Sequence, residues 1–338
     1  MLVWNRLLFL PNNQVHKNKS SLKMLTRRQL RVKVMQCIYA LTQSHDNSLE
    51  KQEKFLRVSI ENTYTLYLLM LSLLREIHAI AEHNVQQDTK KYLANAADRF
   101  PDKEKFINNQ LLVQIVTNPS LTEALAKRKI RGWYLNEDYV KIIYKEIVKS
   151  KRYNTYMAEE GSSYGEDKNL ILDLFRDVIA PNDKLYEFFE DDKLTWVDDI
   201  PLVNTFIIKL FKTVKKDQAP SFFTPQLLKD EDDMDFAKAL LTKTLLHNTF
   251  LENEIQEKTP NWDKDRIADI DAILLKMAIC ELLYFPSIPE RVSINEYLEI
   301  AKEYSTPKSS IFINGILDKL VKEYKADGKL KKTGRGLL

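Results

Sequence analysis

Arg27, Arg28, Arg31 and Lys33 crowd the first two turns of a helical pattern that runs from Thr26 to Leu41. Guanidinium and ammonium groups at this density suit phosphate binding, because each neutralised phosphate releases counterions. The helix macrodipole makes positive charge mildly unfavourable at a helix start, so local helix stability does not account for their placement. An anionic partner would account for it; a solvated basic helix end is the plainer alternative.

The element that must hold these cations is well marked. Thr26 followed by Gln29 fits a capping box, and Leu30, Val34, Cys37, Ile38 and Leu41 recur at helical spacing as a stripe to be buried. Charge is polarised along the chain. Residues 1–45 hold eight Lys or Arg and no Asp or Glu, whereas the rest holds 43 basic against 48 acidic residues, so the overall +3 conceals a basic N-terminal part.

Composition points to an all-α fold. Only seven glycines occur in 338 residues and 44% of the chain is hydrophobic. Apolar positions repeat at three and four, and strand-like alternation between turn dipeptides is hard to find. Cys37 and Cys280 stand singly on helical patterns, which argues against a disulfide framework or a thiolate metal site and fits a reducing cytoplasm. The apolar run from Leu66 to Leu74 lies inside a helical pattern from about Leu49 to Glu82, so it reads as a buried helix rather than a membrane span.

Helices are expected at roughly 26–44, 49–85, 103–116, 119–130, 136–152, 166–180, 182–190, 199–216, 232–257, 264–268, 269–284, 293–305 and 309–325, with breaks at Pro and Gly sites. A shift of 66 positions lays Asp167, Leu174, Asn182, Leu185, Trp196, Asp199 and Ile207 on Asp233, Leu240, Asn248, Leu251, Trp262, Asp265 and Ile273. Residues 166–216 therefore read as a decayed copy of 232–284. The acidic run from Asp230 to Asp235 suits a helix start and lacks the spacing of a calcium loop. Ser293 and Glu296 suggest a further capping box. Gly315, inside a helical pattern, suggests close approach by a neighbouring helix or a partner, with close packing favoured.

Motifs for catalysis are missing: no phosphate loop, dinucleotide fingerprint, nucleophile elbow or HExxH pattern occurs. The basic and aromatic residues Lys127, Arg128, Lys129, Arg131, Trp133 and Tyr134, with Lys149, Lys151, Arg152 and Tyr153, could form an additional RNA track. Charged helix faces around a packed Trp133 are the favoured account.

The segment from Arg27 to Tyr39, with Ala272 to Leu283, Ile288 to Glu296, Ala301-Lys302 and Phe312 to Asp318, resembles the bacterial transcription antitermination family NusB. The resemblance implies a helical bundle over 24–45 and 230–325, interrupted by an inserted helical region over 46–229. A flexible lead over 1–23, with Met24 as an alternative start, and a basic flexible tail over 326–338 complete the expected organisation. It further implies a cytoplasmic, non-enzymatic protein without cofactor that binds boxA-type single-stranded RNA of nascent ribosomal-RNA transcripts. Its implied partners are the small-subunit ribosomal protein NusE and the RNA polymerase antitermination complex. Arg27, Arg28, Arg31 and Lys33 fall on the family's basic helix, although Gln29 interrupts the run and Val32 stands where many relatives have glutamate. Gln36 could then read a base edge and Tyr39 stack on a base. Lys308, Ser309 and Phe312 occupy a loop and helix start that the family also brings near RNA. A helical protein-interaction scaffold without RNA affinity is the main alternative, and an accessory module of a ribosomal-RNA methyltransferase the weaker one.

Overall fold

The computed structural model describes residues 23–44, 48–90, 102–259 and 268–333. Among these residues fourteen α-helices form and no strand does; Lys23 and Gln226 make an isolated bridge. The chain divides into two compact units. Among the described residues, unit 1 holds Lys23 and Met24 with those from Glu61 to Gln226, and unit 2 holds those from Leu25 to Ile60 and from Leu227 to Thr333.

Helix α1 (Arg27–Ser44) begins where Gln29 Oε1 accepts the Thr26 backbone N–H at 2.8 Å. Its stripe of Leu30, Val34, Cys37 and Ile38 is buried as periodicity requires. Burial pushes the thiols of Cys37 and Cys280 up to about 12. Helix α2 (Leu49–Lys90) contributes its first turns to unit 2 and continues from Glu61 in unit 1, not changing unit at residue 46. Its stretch Leu49–Gln87 is long and apolar enough to cross a membrane, yet 67% of the most apolar window is buried against protein. Tyr67, Leu68, Leu71, Leu73 and Ile77 make it the core helix of unit 1.

Unit 1 continues with α3 (Gln110–Val116), α4 (Pro119–Lys127), α5 (Glu137–Lys149), α6 (Lys151–Ala158), α7 (Tyr164–Leu174), α8 (Asp183–Asp192) and α9 (Ile200–Thr213). Asn109, Asn118, Ser150 and Asn182 each cap a helix by accepting a backbone N–H from three residues on, and Ser163 with Glu166 closes a full capping box. The helix expected over 136–152 is broken because Ser150 is extended, with ψ 140°, and caps α6. A π-helical turn, Phe175–Ile179, prolongs α7.

Unit 2 resumes with α10 (Glu231–Leu246), α11 (Asn248–Lys258), α12 (Asp269–Tyr284), α13 (Glu290–Tyr304) and α14 (Ser309–Ala326). The single helix expected over 232–257 is interrupted at His247, whose ring stacks on Tyr284 with centroids 4.4 Å apart. Ser293 is no helix cap. It lies within α13, buried, and its hydroxyl donates to Glu281, so the expected start is three residues late. Close packing by a neighbouring helix does not account for Gly315, since nothing lies within 4 Å of the site a Cβ would take. The start of the supposed flexible tail is held: Lys332 Nζ donates to the carbonyls of Glu281 and Phe285, and Thr333 N–H to that of Pro286. Its ammonium pKa is lowered by burial.

Displacement by 66 positions carries α7 with its π-helical turn onto α10, α8 onto α11 and most of α9 onto α12. The paired residues Asp167 and Asp233, Leu174 and Leu240, Leu185 and Leu251, and Ile207 and Ile273 are all buried. Trp262 and Asp265, as well as the short helix expected over 264–268 and the lead over 1–22, lie outside the described residues.

Candidate nucleic-acid interface

Helix α1 packs against α10, α12 and α13, and those helices answer its positive charge with carboxylates. Arg27 Nε donates to Asp233 Oδ1 at 3.0 Å, and its guanidinium lies over Phe236, 5.0 Å from the ring centre. Arg28 makes a two-point contact with Glu296 at 3.0 and 2.9 Å, and this partner raises its pKa. Arg31 does the same with Glu281 at 2.8 and 2.7 Å, both side chains being almost wholly buried. Ser293 Oγ and Tyr297 OH also donate to the Glu281 carboxylate, at 2.7 and 3.0 Å. Burial opposes the Arg31 charge, but hydrogen bonding and the charge of Glu281 more than offset it, so its pKa is raised. Burial, followed by the negative charge of Glu281, pushes the Tyr297 phenol well up.

The anionic partner inferred from the macrodipole argument is thus supplied, for these three arginines, from within the protein. Geometry separates the candidate residues sharply. Arg31 and Lys33 are buried at 2% exposure and face the core rather than a phosphate. Ser309 is buried as well, its hydroxyl donating to Asp271 Oδ2 at 2.6 Å and receiving the Thr306 N–H at 3.2 Å. Arg28 and Gln36 are half-buried. Arg27, Tyr39 and Lys308 are exposed, and Phe312 is half-exposed beside the exposed Ile311. These last positions and Gly315 follow helical spacing along one face of α14. Sequence reasoning missed Glu281, Tyr297, Asp233 and Phe236, which set the conformation of α1, although the positions of Arg31 and Lys33 relative to the apolar stripe were a usable signal.

The sequence profile described as the NusB family matches residues 207–322, which take in α10 to α14 apart from the last turn. A transcription antitermination protein NusB from Salinibacter ruber is 44% identical over 109 residues, covering 32% of this chain and 68% of that protein. The chain belongs to the NusB family. A NusB of Finegoldia magna is 42% identical over 93 residues, covering 28% of this chain and 68% of its own. For Chloroherpeton thalassium NusB the identity is 44% over 104 residues, covering 31% of this chain and 49% of the relative. No solved structure matches. Helix α1 lies far outside the NusB-matched segment in sequence, yet it is built into the same unit by its contacts with α10, α12 and α13.

Proposed function

We propose that this chain is a transcription antitermination factor that binds boxA-type single-stranded RNA of nascent ribosomal-RNA transcripts together with the ribosomal protein NusE. It acts by binding, without catalysis or cofactor, within the RNA polymerase antitermination complex in the cytoplasm. The observation that carries the reading is that a basic helix, remote in sequence, joins the NusB-family helices in one unit. In this reading the RNA meets Arg27, Gln36 and Tyr39 on α1 and Lys308 and Phe312 on α14. Arg28 borders that surface. Arg31, Lys33 and Ser309 support it from below, because a phosphate could reach them only by breaking the interior.

Titration of a boxA-type RNA across a salt series tests this assignment. Lys308→Ser is expected to weaken binding and to reduce the log–log salt slope by about 0.7, the value for one single-strand phosphate contact. Tyr39→Ser is expected to cost about 1–3 kcal/mol if it stacks on a base. Folded variants that bind like the wild type would remove these residues from the interface. A chain with no RNA affinity would leave the second reading, a protein-binding helical scaffold, which the internal pairing of the α1 arginines and the exposure of Ile311 favour.

A further inference from the structure

The loop between α4 and α5 in unit 1 is firmly held, yet it turns two large side chains, Tyr134 and Leu135, to solvent. Trp133 is its anchor: the buried indole N–H donates to Leu69 O at 3.1 Å and to Ser72 Oγ at 3.0 Å. Gly132 approaches α2 so closely that a Cβ there would stand 2.9 Å from Leu69 Cδ1. Asn136 Nδ2 donates to Gly132 O at 2.7 Å, and Ile130 N–H to Leu125 O at 3.0 Å. Lys129, at φ 53°, makes the left-handed bend. Between these anchors Tyr134 is 86% and Leu135 85% exposed. A surface already ordered before binding avoids much of the entropy loss that a mobile loop would suffer.

The charge around this tip has a definite sign. Lys127, Lys129 and Arg131 are exposed, and none has a side-chain hydrogen bond or ion pair among the described residues. Arg128 differs, being tied to Glu61 at 2.5 Å with its guanidinium over Tyr64. The acids that follow the loop are partly answered by Lys141, 3.1 Å from Glu137 and 3.9 Å from Asp138. The loop therefore carries, close in sequence to an exposed phenol ring, three cations with no partner among the described residues. On the sequence alone this stretch read as charged faces around a packed Trp133. Trp133 is packed, but the next two side chains are not.

We infer that this loop is a second contact for single-stranded RNA, with Tyr134 stacking on a base, Lys127, Lys129 and Arg131 facing phosphates, and Leu135 covering the edge of the stacked base. The inference rests on the RNA-binding reading above and adds to it a surface in the inserted region. An unpaired strand fits better than a duplex, because its bases offer open faces for stacking. It also fits better than a lipid surface, which favours a broad apolar face, whereas the neighbours of Tyr134 and Leu135 are cationic.

The test uses the full chain and a single-stranded RNA holding a boxA-type element with flanking nucleotides, titrated at several salt concentrations. Circular dichroism checks that each variant is folded. Changing Lys127, Lys129 and Arg131 together to serine is expected to lower the affinity and reduce the salt slope by about 2, at roughly 0.7 per contact. Tyr134→Ser is expected to weaken binding about tenfold. Tyr134→Trp should retain binding and show RNA-dependent quenching of its added fluorescence. Loop variants that bind like the wild type, while Lys308→Ser binds less, would overturn this inference and leave the proposed function standing. Absence of RNA binding by the wild type would overturn both. Variants that keep RNA affinity but lose binding to vesicles of anionic phospholipid would also overturn the inference, assigning the loop to a membrane surface.

Discussion

Arg31 and Glu281 form a buried ion pair whose carboxylate receives two hydrogen bonds from Arg31 and one each from Ser293 and Tyr297. Such a pair adds little net stability relative to an apolar replacement, but losing one partner strands a charge in the interior. Arg31→Ala is therefore expected to destabilise the protein by about 3–5 kcal/mol, read as a lower urea midpoint. Combining Arg31→Met with Glu281→Leu should recover most of that loss, since neither charge remains. An unshifted midpoint for Arg31→Ala would show that the pair contributes nothing. The division of labour among the four cations was partly legible. Arg31 is spaced i, i+3 and i+7 with Val34 and Ile38, and Lys33 is four residues from Cys37, so both lie toward the apolar stripe. Their burial follows from that spacing, but the identity of the carboxylates does not, because Asp233, Glu281 and Glu296 come from distant helices and no local pattern pairs them with α1.

Helices were legible wherever sequence supplied both period and punctuation. Asn118 and Asn182 cap helices that begin beside a proline signal, and the pattern of α14 runs through Gly315 as expected, whereas the helix expected from 103 starts only at Gln110, behind the cap Asn109. The junctions at Ser150 and His247 were not legible, because a break without Gly or Pro leaves the apolar period almost in phase. Ser293 misled for another reason: the residues of a capping box can equally serve tertiary hydrogen bonds, and here Ser293 and Glu296 bind Glu281 and Arg28. Gly315 shares an α14 face with Lys308, Ile311 and Phe312 and has open space around it. Gly315→Ala is expected to stabilise the protein by about 1 kcal/mol through helix propensity, raising the thermal midpoint. If RNA or a protein partner approaches the backbone there, the same change should weaken that binding. A lower midpoint would refute the expectation of an unstrained helical site.

At the scale of the chain, Glu61–Gln226 belongs to a compact unit with its own core, and its last three helices match α10, α11 and α12 in order under the 66-residue displacement. The equivalent carboxylates even serve similar ends: Asp233 accepts from Arg27 at the start of α1, while Asp167 accepts from the backbone and side-chain amides of Gln110 at the start of α3. Helix α3 contains no basic residue, so unit 1 does not reproduce the cationic helix of unit 2. This difference separates two contributions to RNA binding. In the proposed function, the ribosomal-protein partner and RNA are linked through the NusB-like unit, and the partner should raise RNA affinity by a factor corresponding to about 1–3 kcal/mol. The loop of unit 1 would add phosphate and stacking contacts whether or not the partner is bound. Changing Lys127, Lys129 and Arg131 to serine should then lower RNA affinity by the same factor with and without the partner, leaving their coupling unchanged. Four titrations complete the thermodynamic cycle: wild type and loop variant, each alone and with saturating partner. Equal ratios support independent action, whereas a coupling altered by more than about threefold, roughly 0.7 kcal/mol, would show that unit 1 participates in the linkage and that the surfaces cannot be treated as additive.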